Sequence, residues 1–115
     1  MEKEQLTALV ISAIEDVKGI DVRMFDVQDK SNVTDLMIIA SGNTARQVKA
    51  LANSITESVK KAGYRPLGIE GEQHGEWVLV DLGDIVVHIM QPAVRDFYNL
   101  EKLWGEDSPP AVQEK

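Results

Sequence analysis

The stretch GEWVLVDLGDIVVHIM, residues 75–90, constrains this chain more than any other part of it. Two apolar runs flank Gly83-Asp84, a two-residue turn signal, so the segment is predicted to form a β-hairpin. That loop sets Leu82 opposite Ile85. The pairs then run outward as Asp81/Val86, Val80/Val87, Leu79/His88, Val78/Ile89 and Trp77/Met90. Side chains alternate faces along a strand. One face is therefore Val78, Val80, Leu82, Ile85, Val87 and Ile89, wholly aliphatic, and it must be core. The other is Trp77, Leu79, Asp81, Val86, His88 and Met90, apolar but punctuated by ionisable groups. Such a face suits either a covering helix or a partner. A one-residue slip would exchange the two faces, so the assignment depends on register.

The rest of the chain supplies elements to complete a sheet around this hairpin. Leu6, Leu9, Val10, Ala13, Ile14 and Val17 recur at helical spacing and stop at Gly19, predicting a first helix over about 2–17. Residues 22–27 read as a short strand, and 29–32 as a polar turn. Leu36-Met37-Ile38-Ile39-Ala40 is a continuous apolar run, as expected of a strand buried on both faces. Ser41-Gly42-Asn43-Thr44 supplies a turn and an N-cap. Val48, Leu51, Ala52, Ile55 and Val59 mark a second helix closed by Gly63. Residues 66–70 form a short strand before the hairpin. Pro92 opens a third helix whose shared face is Val94, Phe97, Leu100, Glu101 and Trp104. The polar tail 105–115, with its Pro pair, has the composition of a disordered segment. The expected architecture is a single α/β domain over residues 1–104, in the order αββαβββα, with a five-stranded mixed sheet and three helices. Three helices do not cover both faces of five strands, so part of one face is expected to stay open.

Composition removes several classes of function. The 115 residues include no cysteine, so disulfides, thiolate metal sites and cysteine nucleophiles are excluded. The first residues are charged, and no apolar run approaches the roughly 20 residues of a membrane span. A cytoplasmic location is the default expectation. Net charge is −7, which repels a polyanion and favours a basic protein partner. Little direct nucleic-acid binding is expected of the chain as a whole.

Candidate chemistry is sparse. Two-metal phosphoryl or nucleotidyl transfer needs carboxylates gathered together, commonly as Asp-x-Asp on one strand face. Asp35 is followed at that spacing by Met37, Asp26 by Gln28 and Asp81 by Gly83. The pairs Glu2/Glu4 and Glu70/Glu72 sit near the N-terminus and beside Gly71, neither a natural pocket. These acids suit turns, caps and surface networks. His74 and His88 lack metal-ligand spacing, and His88 has no nucleophile beside it, so a hydrogen-bonded or interfacial histidine is expected. The turn before helix two lacks the Lys and multiple glycines of a phosphate loop. Arg46, Lys49, Asn53 and Lys60 form a polar stripe without interleaved aromatics, so a solvated helix face is expected, with an RNA contact beside a protein dock as the minor reading. Trp77 with Leu79 and Met90 has the composition of an interface anchor, unless Phe97, Leu100 or Trp104 covers it.

An ordered set of residues adds to this reading. Asp26-Val27 is followed by Ser31-Asn32-Val33-Thr34-Asp35, then Ile39-Ala40-Ser41-Gly42, then Arg46-Gln47-Val48. Gly63-Tyr64, Pro66 and Gly68-Ile69-Glu70-Gly71 come next. Trp77-Val78-Leu79-Val80-Asp81, Val87-His88, Arg95, Phe97-Tyr98 and Leu100-Glu101-Lys102-Leu103-Trp104 complete the set. With these spacings the chain resembles the Iojap family of bacterial ribosomal silencing factors (RsfS) over about residues 2–104. The resemblance implies a nucleotidyltransferase-like fold without the catalytic carboxylate set, and no enzyme, cofactor or metal. It implies binding to the large ribosomal subunit at its intersubunit face, through the ribosomal protein numbered fourteen. That binding would block subunit joining and lower translation when nutrients are scarce, and the free protein would be a homodimer. The alternative is a metal-dependent nucleotidyl- or phosphoryl-transfer enzyme with dispersed carboxylates, for which a metal between Asp35, Asp81 and a third acid would speak. On the silencing reading the partner-binding residues are Trp77, Leu79, Asp81, His88 and Met90, with Tyr98 extending the patch or the homodimer contact.

Overall fold

A computed structural model describes residues 2–28, 34–100 and 102. The expected turn at 29–32, Val33, Glu101, Leu103, Trp104 and the tail 105–115 lie outside them. The elements are α1 (Lys3–Asp16), β1 (Ile20–Asp26), β2 (Leu36–Ser41), α2 (Ala45–Lys61), β3 (Gly68–Glu70), β4 (Trp77–Asp81), β5 (Ile85–Met90) and α3 (Pro92–Tyr98). This is the order αββαβββα. The sheet runs β1-β2-β5-β4-β3, and only the β2/β5 pair is parallel. The α2-to-β4 hairpin segment thus crosses over one face of the sheet to bring β5 beside β2.

The hairpin has the register its residues dictate, with Trp77 opposite Met90, Leu79 opposite His88 and Asp81 opposite Val86. Leu82 N–H donates to the Ile85 carbonyl at 2.8 Å, and Gly83 turns the chain at φ +89°, a conformation glycine adopts without cost. The aliphatic face packs under α1 and α2. Val78, Val80, Leu82, Ile85, Val87 and Ile89 are fully buried with Leu6, Val10, Ile14, Val48, Leu51, Ile55 and Val59. β2 is buried on both faces along almost its whole length. Its Ile38 and Ala40 join this core, while Met37 and Ile39 join a second cluster on the opposite face.

α2 starts where the sequence places a cap. The Thr44 hydroxyl oxygen accepts from the Gln47 N–H at 3.0 Å, and the Gln47 side chain accepts from the Asn43 N–H at 2.8 Å. This is a variant of the capping box in which the Gln47 side chain reaches the N–H one residue before the cap. The same Gln47 amide donates to the carbonyls of Val17 and Lys18, tying the end of α1 to the start of α2.

Three elements differ from expectation. β1 begins at Ile20 rather than 22, with a register shift between Ile20 and Arg23 and Asp21 at φ +52°. β3 is limited to Gly68–Glu70. α3 is two turns long and stops at Asn99, which takes the left-handed conformation (φ 50°) that asparagine tolerates. Its inward side also differs. Phe97, expected on the buried face, is 80% exposed, while Arg95 is 4% exposed. The Arg95 guanidinium donates from Nη1 to Ser41 Oγ at 2.8 Å, and Nη2 lies 3.7 Å from Asp21 Oδ2. Arg95 and Phe97 stand two residues, about 200°, apart round the helix, so seating Arg95 inward leaves Phe97 outward.

Arg95→Met should cost about 2 kcal/mol in urea unfolding, because the buried Ser41 hydroxyl loses its partner and α3 its anchor. Hydrogen exchange should show the loss concentrated in α3. A change under 0.5 kcal/mol, the range of ordinary surface substitutions, would show that apolar packing alone holds the helix.

Candidate partner-binding face

α1 and α2 close one face of the sheet, and α3 reaches only one end of the other. On that second face Phe25, Met37, Ile39 and Met90 are buried, with Val94 and Leu100 packed against them. Trp77 on β4, at the edge of α3, and Leu79, Asp81 and Val86 beyond it remain half-exposed. Among the described residues the open face expected from counting helices is present, and it lies on the hairpin.

Trp77 is held in place from two sides. Its indole N–H donates to His88 Nδ1 at 3.0 Å across the strand pair. Its ring packs 4.9 Å, centroid to centroid, from Tyr98 of α3, at 48°. Phe97 meets the far edge of Tyr98 at 5.0 Å in a perpendicular arrangement. Indole only donates, so His88 must accept through an unprotonated Nδ1. Burial enforces this by lowering the His88 pKa from 6.5 to about 4. The ring is neutral at physiological pH, with its proton on Nε2. His88 is the hydrogen-bonded histidine the sequence suggested, and its role is to fix an aromatic side chain.

The backbone around Trp77 is equally constrained. Gly71 sits at φ +83°, and a Cβ there would lie 2.2 Å from the Trp77 carbonyl oxygen, so the 71–75 loop passes against the strand only because residue 71 is glycine. Gln91 N–H donates to the Glu76 carbonyl, and the Gln91 side chain to the Gly75 carbonyl.

The six sequence-selected residues divide by exposure. Trp77, Leu79 and Asp81 present partly open side chains, and Tyr98 is 55% exposed at the rim. Met90 is fully buried and His88 nearly so, since α3 and the neighbouring strands close over that end of the face. Asp81 Oδ1 accepts from the Gly83 N–H at 2.9 Å, so it also shapes the hairpin turn. Val86 belongs to the exposed part of the face, although nothing in strand alternation distinguishes it from its neighbours there. Arg95 was not foreseen as a positioning residue. The one signal for it was Ser41, a hydroxyl ending an otherwise apolar strand, because a buried hydroxyl needs a partner.

Among the described residues no three His, Asp or Glu side chains converge as metal ligands, and no helix is long and apolar enough to cross a membrane. Asp35 lies beside Lys3 at 3.6 Å, at the far end of β2 from Ser41.

The fold and this face define an α/β domain with one sheet face closed by helices and the other left half-open beside an ordered tryptophan. The chain belongs to the ribosomal silencing factor family. The family model described as "ribosomal silencing factor during starvation" matches residues 1–115. The ribosomal silencing factor RsfS of Chromobacterium violaceum is 50% identical over 109 residues, covering 95% of this chain and 89% of the relative. A crystal structure from the same organism superposes with a TM-score of 0.90 at 48% identity, covering 98% of this chain and 95% of that one. A second, from Bacillus halodurans, gives 0.84 at 34% identity, covering 97% and 100%. The curated relative is named as a silencing factor and not as an enzyme.

Proposed function

We propose that the chain binds the large ribosomal subunit at its intersubunit face, through the ribosomal protein numbered fourteen, and sterically blocks joining of the small subunit. The observation that carries this reading is the half-open hairpin face, where Trp77 is fixed by His88 and Tyr98 and followed along the same face by Leu79, Asp81 and Val86. A rigid aromatic anchor with apolar neighbours and a carboxylate suits a basic protein surface. His88 and Met90 support this patch from beneath, and Tyr98 forms its rim. A body with extents of 33 × 33 × 23 Å placed between the subunits excludes contact without covalent chemistry. Translation falls because assembled ribosomes do not form. This action belongs to the cytoplasm, where the subunits are. When free, a second copy would occupy the same rim, with Phe97 and Tyr98 the exposed aromatics available to it.

Co-sedimentation with separated subunits tests the reading. The protein should pellet with the large subunit alone, and pre-loaded large subunits should fail to join small ones in a gradient. A chain that ignores both subunits, or that pellets with large subunits and leaves joining intact, would sink it.

A further inference from the structure

Charge is divided sharply along this acidic chain. Between residues 45 and 68 it carries Arg46, Lys49, Lys60, Lys61 and Arg65 against the single acid Glu57, a net of +4, so the remainder of the −7 chain carries −11. None of these five cations is ion-paired among the described residues. Three of them, Lys49, Lys60 and Arg65, line a concave surface. Lys49, Asn53 and Lys60 on α2 face Ile69 and Glu72 across a groove of about 410 Å³. The groove continues past Thr56 to Arg65 and Gly68, beside the edge strand β3. Lys49 and Lys60 are eleven residues apart on one helix, about 16 Å. Glu72, exposed at the mouth, is the one carboxylate lining the groove. Thr56 is not available to a ligand as a donor, since its hydroxyl donates to the Ala52 carbonyl.

We infer that this α2–β3 groove binds the phosphate backbone of RNA. Unpaired cations along α2 and at the Arg65 end of the groove supply the sequence-independent contacts that phosphates require. The groove itself has no aromatic lining for base stacking, so contact with the backbone rather than with bases is expected. α2 packs on the sheet face opposite Trp77, so the groove and the hairpin patch lie on different sides of the molecule. A chain seated on a ribosomal protein through one side would then hold nearby ribosomal RNA with the other. The inference rests on the proposed ribosome association for the source of the RNA, while the phosphate chemistry stands apart from it.

The test compares wild type with a Lys49→Gln/Lys60→Gln/Arg65→Gln triple variant, shown by thermal unfolding to keep its fold. Affinity for purified large subunits is measured between about 50 and 200 mM salt. The slope of log affinity against log salt should be shallower by about 2 to 3 in the triple variant, and its affinity at the lowest salt at least tenfold weaker. Trp77→Ala should weaken binding with its slope unchanged. A triple variant with the wild-type slope overturns the inference. Titration of wild type with an RNA duplex of about 16 base pairs, followed by amide NMR, is the second arm. Shifts confined to α2 and β3 support RNA. Their absence at millimolar duplex overturns it, and a slope change without such shifts would identify an acidic protein as the contact. If wild type binds neither subunit, the proposed function fails, and the duplex titration still decides the groove.

Discussion

Trp77→Ala should weaken association with the large subunit by about 30-fold or more while the protein stays folded. Truncation of a central aromatic anchor typically costs 2 kcal/mol or more of binding, and 1.4 kcal/mol is tenfold. Trp77 has the attributes of such an anchor, being partly open, immobilised by a hydrogen bond to His88 and packed at a tilt against Tyr98. Trp77→Phe separates the contributions. It keeps most of the ring but removes the indole N–H, so it should lose several-fold rather than 30-fold. Titration of each variant against large subunits gives the comparison, with near-UV circular dichroism to show that the remaining aromatics stay ordered. Wild-type affinity in Trp77→Ala would place the docking surface elsewhere.

The second large effect is on stability at mildly acid pH. His88 is neutral in the folded chain with a pKa of about 4, against 6.5 for the free side chain. As pH falls, the unfolded chain takes up a proton first. The stability due to a neutral His88 is therefore complete above pH 6.5 and is lost as pH drops toward 4. At 1.36 kcal/mol per unit the loss is about 3 kcal/mol. Urea unfolding of wild type across this window, beside His88→Gln, isolates the effect. Glutamine keeps an acceptor within reach of the Trp77 indole and does not titrate. Its curve should be lower than wild type at pH 7 and converge with it near pH 4. Parallel curves would show that His88 is accessible to protons in the folded state. Protonation of Nδ1 in the folded chain would release Trp77 only as pH nears 4, so binding to the large subunit should hold through most of this window and weaken at its acid end.

Much of this molecule could be read from its residues. The hairpin was legible because a two-residue turn leaves one register, and because one face is aliphatic without exception. The two long helices announced themselves by apolar spacing, and α2 also by its cap. The open face followed from the number of helices. Features that depend on distant side chains were not legible. Helical periodicity put Phe97 inward, and only the Arg95–Ser41 contact, 54 residues apart in sequence, reverses that. Strand alternation placed His88 and Met90 on the right face but said nothing of which end α3 covers. Total charge pointed away from nucleic acid. It is a sum, however, and a sum conceals the +4 segment of residues 45–68 within a chain of −7.

The two border strands of the sheet have a further consequence. β1 is kinked at Asp21, and β3 offers only three residues. Borders of this kind resist the addition of another strand, so neither self-templated aggregation nor peptide capture by backbone pairing has a ready start here. On the proposed hairpin dock, recognition would then rest on side chains, and selectivity could be retuned one residue at a time at Leu79 and Val86, whose aliphatic side chains make no hydrogen bond to the framework.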